Sequence, residues 1–204
     1  MSNIAYNKNV IDFVTVAVEF CAFLEKEQLP TRAEWIDNVL KILPLLYIKA
    51  SLLPETWEMN DESLPTFVQE SDYTIIANRA AEIMGNEDTY LDVFVDDMKY
   101  SDTPVSAFVS ENIADIYQDV RNFVSVYQYE LTEQMNDALH VCVSNFRDYW
   151  GQKLVNSLRP LHALKYRELE AEIDNELNPN DLWNWLFQKQ MYQRFRMKRL
   201  TETL

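Results

Sequence analysis

VIDFVTVAVEFCAFL, residues 10–24, is the stretch whose reading decides the fold class. Its polar residues Asp12, Thr15 and Glu19 stand at i, i+3 and i+7. On a helix they form one narrow stripe, and apolar side chains cover the rest of the circumference. A strand would divide the same three residues between its two faces. The spacing predicts a helix from about residue 7 to 28, and a helix apolar on nearly every side belongs at the centre of a bundle. Glycine usage agrees: the 204 residues include only Gly85 and Gly151. Hairpin turns and phosphate-cradling loops draw on glycine's freedom at positive φ and its close backbone approach. A chain this poor in glycine is expected to be all-α.

Outward from that helix, Pro30 breaks the chain and Thr31 with Glu34 forms a capping box that starts a second helix. Pro44 lies inside its apolar run and predicts a kink. Residues 53–66 read as a loop bounded by Pro54 and Pro65, followed by a third helix, 67–84, that ends at Gly85. Residues 85–104 read as a second loop, in which Tyr90, Val93, Phe94 and Val95 suggest a short strand or an aromatic anchor. A fourth helix starts near Pro104 or Ser110. A long helix over about 132–166 is expected to bend at Gly151 and Pro160, with a short helix over 167–177 and a last one over 181–200. The expectation is one domain, 1–204: a bundle of six to seven helices around a central apolar helix.

The net charge of −15 is unevenly placed. Residues 55–119 hold 16 acids against Arg79 and Lys99, whereas 181–204 carry five Lys/Arg against Asp181 and Glu202. A phosphate-backbone binder needs the opposite sign, so no nucleic-acid partner is expected. Cys21 and Cys142 lack metal-type spacing and read as buried thiols of a reducing, cytoplasmic compartment. Asp12 and Glu19 interrupt the apolar stretch, which is also too short to span a bilayer, so no transmembrane segment is expected.

Two segments, NIADIYQDVRNFVSVY at 112–127 and FRDYWGQKLVNSLRPLHAL at 146–164, together resemble a family of small bacterial all-helical proteins catalogued as a domain of unknown function. FVTVAVEFCAFLE at 13–25 and LPLLYIKASLLPE at 43–55 extend the resemblance over most of the chain. It implies a helical fold and a bacterial cytoplasmic origin, and it brings no activity. Pro160 stands where the family pattern leads one to expect a small residue.

Three patterns are candidates for chemistry. Asp137-x-x-His140 has the spacing of a carboxylate-bridged di-metal ligand pair. A second such pair is missing, because Arg159 stands three residues before His162, so neither a metal site nor a cofactor is expected. Glu111, Asp115 and Asp119 recur every four residues and line one helix edge, where mutual repulsion invites a cation such as Arg121 or Arg159. Trp150, Arg159 and His162 fall where the long helix is expected to bend. They read either as a packed clamp or as a small polar site, in which Arg159 holds an anion and His162 moves a proton. No serine or cysteine has the setting of a nucleophile.

The segment DLWNWLFQKQMYQRFRMKRL, 181–200, sets Trp183, Trp185, Phe187, Met191, Tyr192 and Phe195 among five cations. It suits a closing helix of the bundle or a partner-docking element. These features lead to an expected non-enzymatic interaction or adaptor module, with a protein partner or a second copy of itself. The alternative is an enzyme, or a small-ligand or anion binder, built around Asp115, Arg159 and His162.

Overall fold

The computed structural model describes residues 4–59, 64–92, 105–131 and 134–176, except the side chains of Ala5 and of residues 169–176. Contacts divide the chain into a compact unit of residues 1–163 and a second of 164–204, where the sequence suggested a single domain. The helix expected over 181–200, with Trp183, Trp185, Phe187, Met191, Tyr192 and Phe195, lies outside the described residues.

A short 3-10 turn, Ile4–Tyr6, leads into α1 (Lys8–Glu25), whose first turn is capped by the Asn7 side chain accepting the Asn9 N–H at 2.9 Å. The predicted capping box opens α2 (Arg32–Ser51), which runs unbroken through Pro44. α1 and α2 are antiparallel: Asn9 donates to the Leu52 carbonyl at 3.0 Å and Asp12 pairs with Lys49 at 2.8 Å. α3 (Glu70–Met84) ends at Gly85, whose φ of +58° is cheap only for glycine.

Two strands follow, β1 (Thr89–Asp92) and β2 (Val105–Phe108), paired antiparallel with Thr89 opposite Phe108. This strand pair corrects the all-α expectation: β1 falls in the 85–104 stretch where Tyr90 suggested a strand, whereas β2 lies beyond it, between the two starts expected for the fourth helix. α4 (Val109–Gln128) has no capping side chain of its own. Buried Asp88 serves it instead, accepting from the Ser110 N–H at 2.8 Å and the Ser110 hydroxyl at 2.6 Å. α5 (Met135–Asn145) passes through a π-helical turn, Phe146–Trp150, into α6 (Gly151–Glu176).

The described residues therefore form five helical rods, fewer than the six to seven expected. α6 continues through Pro160 and over the stretch assigned to a separate short helix, because a proline removes one donor without obliging a helix to stop.

α4, not α1, is the central helix. It buries twelve side chains, including Ser110, Asn112 and Ser125, against six for α1. On α1 the buried set Val10, Phe13, Ala17, Phe20, Cys21 and Leu24 is a single stripe, and Ile11 and Val18 face outward. The core is knit by Phe13, which lies 5.5 Å from Phe123 and stacks on Trp150 at 6.4 Å.

Candidate functional site

The acidic stripe of α4 is the chemically richest surface among the described residues. α3 supplies Tyr73, α5 Asn145, the π turn Tyr149, and α6 Lys153. The Tyr73 hydroxyl donates to Asp115 Oδ1 at 3.1 Å, and Lys153 Nζ pairs with Asp115 Oδ2 at 3.2 Å. The same ammonium lies 5.4 Å from the centre of the Tyr149 ring, within cation–π range. Burial, followed by the Asp115 carboxylate, pushes the Tyr149 phenol up to about 12 and raises Tyr73 as well. Both phenols therefore stay protonated donors at neutral pH.

Asp119, one turn further along, accepts from Asn145 Nδ2 at 2.6 Å. Among the described residues its other oxygen has no hydrogen-bond partner. Burial and then the neighbouring Asp115 charge raise its pKa. Glu111 stands exposed at the other end of the stripe.

The cation that answers the stripe is Lys153, where Arg121 or Arg159 was expected. Arg121 turns to the end of α1, pairing with Glu25 at 2.8 Å; Tyr117 donates to the same carboxylate oxygen at 2.8 Å. Arg159 lies apart from Asp115 and lines a groove of about 620 Å³ with Tyr90, Leu91, Val155, Asn156 and Pro160. His162 is exposed on α6. Trp150 belongs to the core, its indole N–H donating to the Cys142 carbonyl at 3.1 Å. Thus Glu111, Asp115 and Asp119 share one edge, whereas Trp150 and Arg159 serve other surroundings. Tyr73, Asn145, Tyr149 and Lys153 were not foreseen. Tyr149 and Lys153 are four residues apart, a helical neighbour spacing that marks them as a pair.

Asp137 and His140 have a different task. The segment after α2 lies along α5: His140 Nδ1 meets the Thr56 carbonyl at 3.0 Å, and Asn136 donates to the Trp57 carbonyl at 2.9 Å. Buried Asp137 accepts the Met59 N–H at 2.7 Å. A spacing that would suit metal ligation here fastens an extended strap, since neighbours on one helix face can equally bind a neighbouring backbone. No group of three or more metal-type ligands occurs among the described residues, and no helix there is long and apolar enough to cross a membrane.

A family model described as domain of unknown function DUF5063 matches residues 4–167. The chain belongs to this family. Among solved structures, the family member resembles the crystal structure of protein BF1032 from Bacteroides fragilis: 46% identity, 80% of this chain and 96% of that one covered, TM-score 0.72. No curated protein matches it. The segments at 112–127 and 146–164 that carried the resemblance both lie within the matched range.

Proposed function

We propose that this member of the DUF5063 family is a non-enzymatic interaction module that receives a basic segment of a protein partner on the acidic edge of α4. One observation carries the reading: Asp119 keeps a half-buried carboxylate with one oxygen unbonded among the described residues, and a raised pKa. A purely structural residue gains little from that arrangement, because desolvating an incompletely bonded carboxylate costs stability. An incoming guanidinium or ammonium would complete its hydrogen bonding, with Glu111, Asp115 and the two tyrosine rings alongside. The test is capture of partners by the tagged chain at low and high salt, beside Asp119→Lys. A partner that binds at low salt, weakens at high salt and is lost with the variant supports the reading. Capture indifferent to both salt and substitution sinks it.

A second reading rests on Arg159, which has no ion-pair or hydrogen-bond partner among the described residues and borders the largely apolar groove beside β1. The groove's volume falls in the range of ligand sites, and a carboxylate with an apolar tail is the chemistry it suits. Titration with a medium-chain fatty acid, followed by the amide signals of Leu91 and Val155, tests it. Shifts that survive Arg159→Ala would remove the anion role.

A further inference from the structure

A cleft of about 340 Å³ opens where the end of α1 meets α3 and α4. It shares no residue with the acidic edge of α4 or with the Arg159 groove. On α3, Asp72, Ile75, Ile76 and Arg79 stand at i, i+3, i+4 and i+7, one face of a helix, and all four line the cleft. Phe67 and Tyr129, stacked at 5.3 Å, extend its apolar wall. Arg79 is half-buried, and its Nη1 donates to the Glu25 and Lys26 carbonyls at 3.4 and 3.2 Å, where α1 ends. Among the described residues its other N–H groups have no partner and its charge has no carboxylate. The Glu25 side chain lines the same cleft. Tyr117 and Arg121 both address its Oε1, each at 2.8 Å, and its other oxygen accepts no hydrogen bond among the described residues. Tyr117 is only 5% exposed, so a donor that cannot swing away holds Glu25 in place. We infer that this cleft binds a free amino acid with an apolar side chain. Arg79 takes its α-carboxylate, the open oxygen of Glu25 its α-ammonium, and Ile75, Ile76 and Phe67 its side chain.

Three observations select that ligand class. The first is charge. Arg79 and Arg121 are balanced in the cleft by Glu25 and Asp72. A simple anion would face two carboxylates there, and a simple cation two guanidiniums. A zwitterion brings each of its charges to an opposite one. The second is the shape of the open groups. A guanidinium fork matches a carboxylate, and a single carboxylate oxygen matches an ammonium. The third is size and lining. The volume lies at the lower end of small-ligand sites, the scale of an amino acid rather than of a nucleotide. Ile75, 49% exposed, leaves apolar surface that a ligand side chain would cover.

The experiment is calorimetric titration of the full chain with L-phenylalanine, beside three analogues that each lack one group. These are 3-phenylpropionate without the ammonium, phenethylamine without the carboxylate, and glycine without the ring. L-phenylalanine is expected to saturate one site in the millimolar range or below, and each analogue to bind about 10-fold more weakly or worse, the loss of one charge-assisted bond or of the apolar contact. Arg79→Ala should weaken L-phenylalanine to the same degree, and Lys41→Ala, on the exposed side of α2, should leave it unchanged. Should Arg79→Ala melt early, Ile75→Glu decides. That position is open to water, so the fold tolerates the change, while a carboxylate there spoils the apolar wall and binding is lost. Absence of saturable binding overturns the inference. So does an analogue that binds as tightly as L-phenylalanine, or affinity undiminished in either cleft variant.

Discussion

At Gly151 a hydrogen atom stands where any other residue would place a methyl group 2.3 Å from the Phe146 carbonyl oxygen and 2.9 Å from its ring. The π turn brings those groups together, so the glycine is fixed by space rather than by φ. Gly151→Ala should therefore cost about 1–3 kcal/mol, the range of overpacked core sites, seen as a loss of roughly 2–12 °C in the thermal midpoint followed by circular dichroism. Asp119 predicts the opposite sign. Its pKa is higher in the fold than in the unfolded chain, so the native state binds the proton more tightly and ionisation weighs against folding. The penalty is absent below the unfolded carboxylate value, about 3.9, and grows as pH rises through the raised folded value. Asp119→Asn should accordingly melt about 1–3 °C above wild type at neutral pH, and the gap should close in melts run near pH 4 or below. A gap that is constant with pH would show that ionisation is not its source.

At the scale of elements, the strap over residues 53–59 depends on α5. Removing the Asp137 carboxylate leaves the Met59 N–H without its acceptor, so Asp137→Ala should cost about 1–3 kcal/mol and expose the segment to limited proteolysis near Trp57. Protection equal to wild type would show that the strap is held by other means. Thr31→Ala, which removes the capping box of α2, should cost about 1 kcal/mol in denaturant unfolding. These elements differ in how far the sequence announced them. The Thr31–Glu34 box and the Gly85 stop are local signals, carried within one turn of chain, and the structure places both helix ends there. Asp137-x-x-His140 is equally local, but backbone capture and metal ligation ask for the same spacing. The pairing of Asp115 with Lys153 joins residues 38 apart through the π turn, an irregularity that periodicity does not register. Nor could periodicity tell which helix is central, since an apolar side chain looks the same whether its own chain or another covers it.

At the scale of the whole molecule, charge governs behaviour. A net charge of −15 sets the acidic surfaces against one another, and salt shortens the reach of that repulsion to about 8 Å at physiological strength. The thermal midpoint should rise by a few degrees from very low to moderate salt, whereas a stability held mainly by surface ion pairs would fall. The π turn has a further effect. One residue added to an α-helical register turns everything beyond it by about 100°. Lys153, which reaches back to the α4 edge, and Asn156, which donates to Asp92 of the hairpin at 3.0 Å, both owe their bearing to that offset. Deleting a single exposed residue such as Asp148 would straighten the helix and swing both away from their targets at once. Chain length between Phe146 and Gly151 is thus a shared setting for two distant surfaces, a point where one codon lost would be felt in two places.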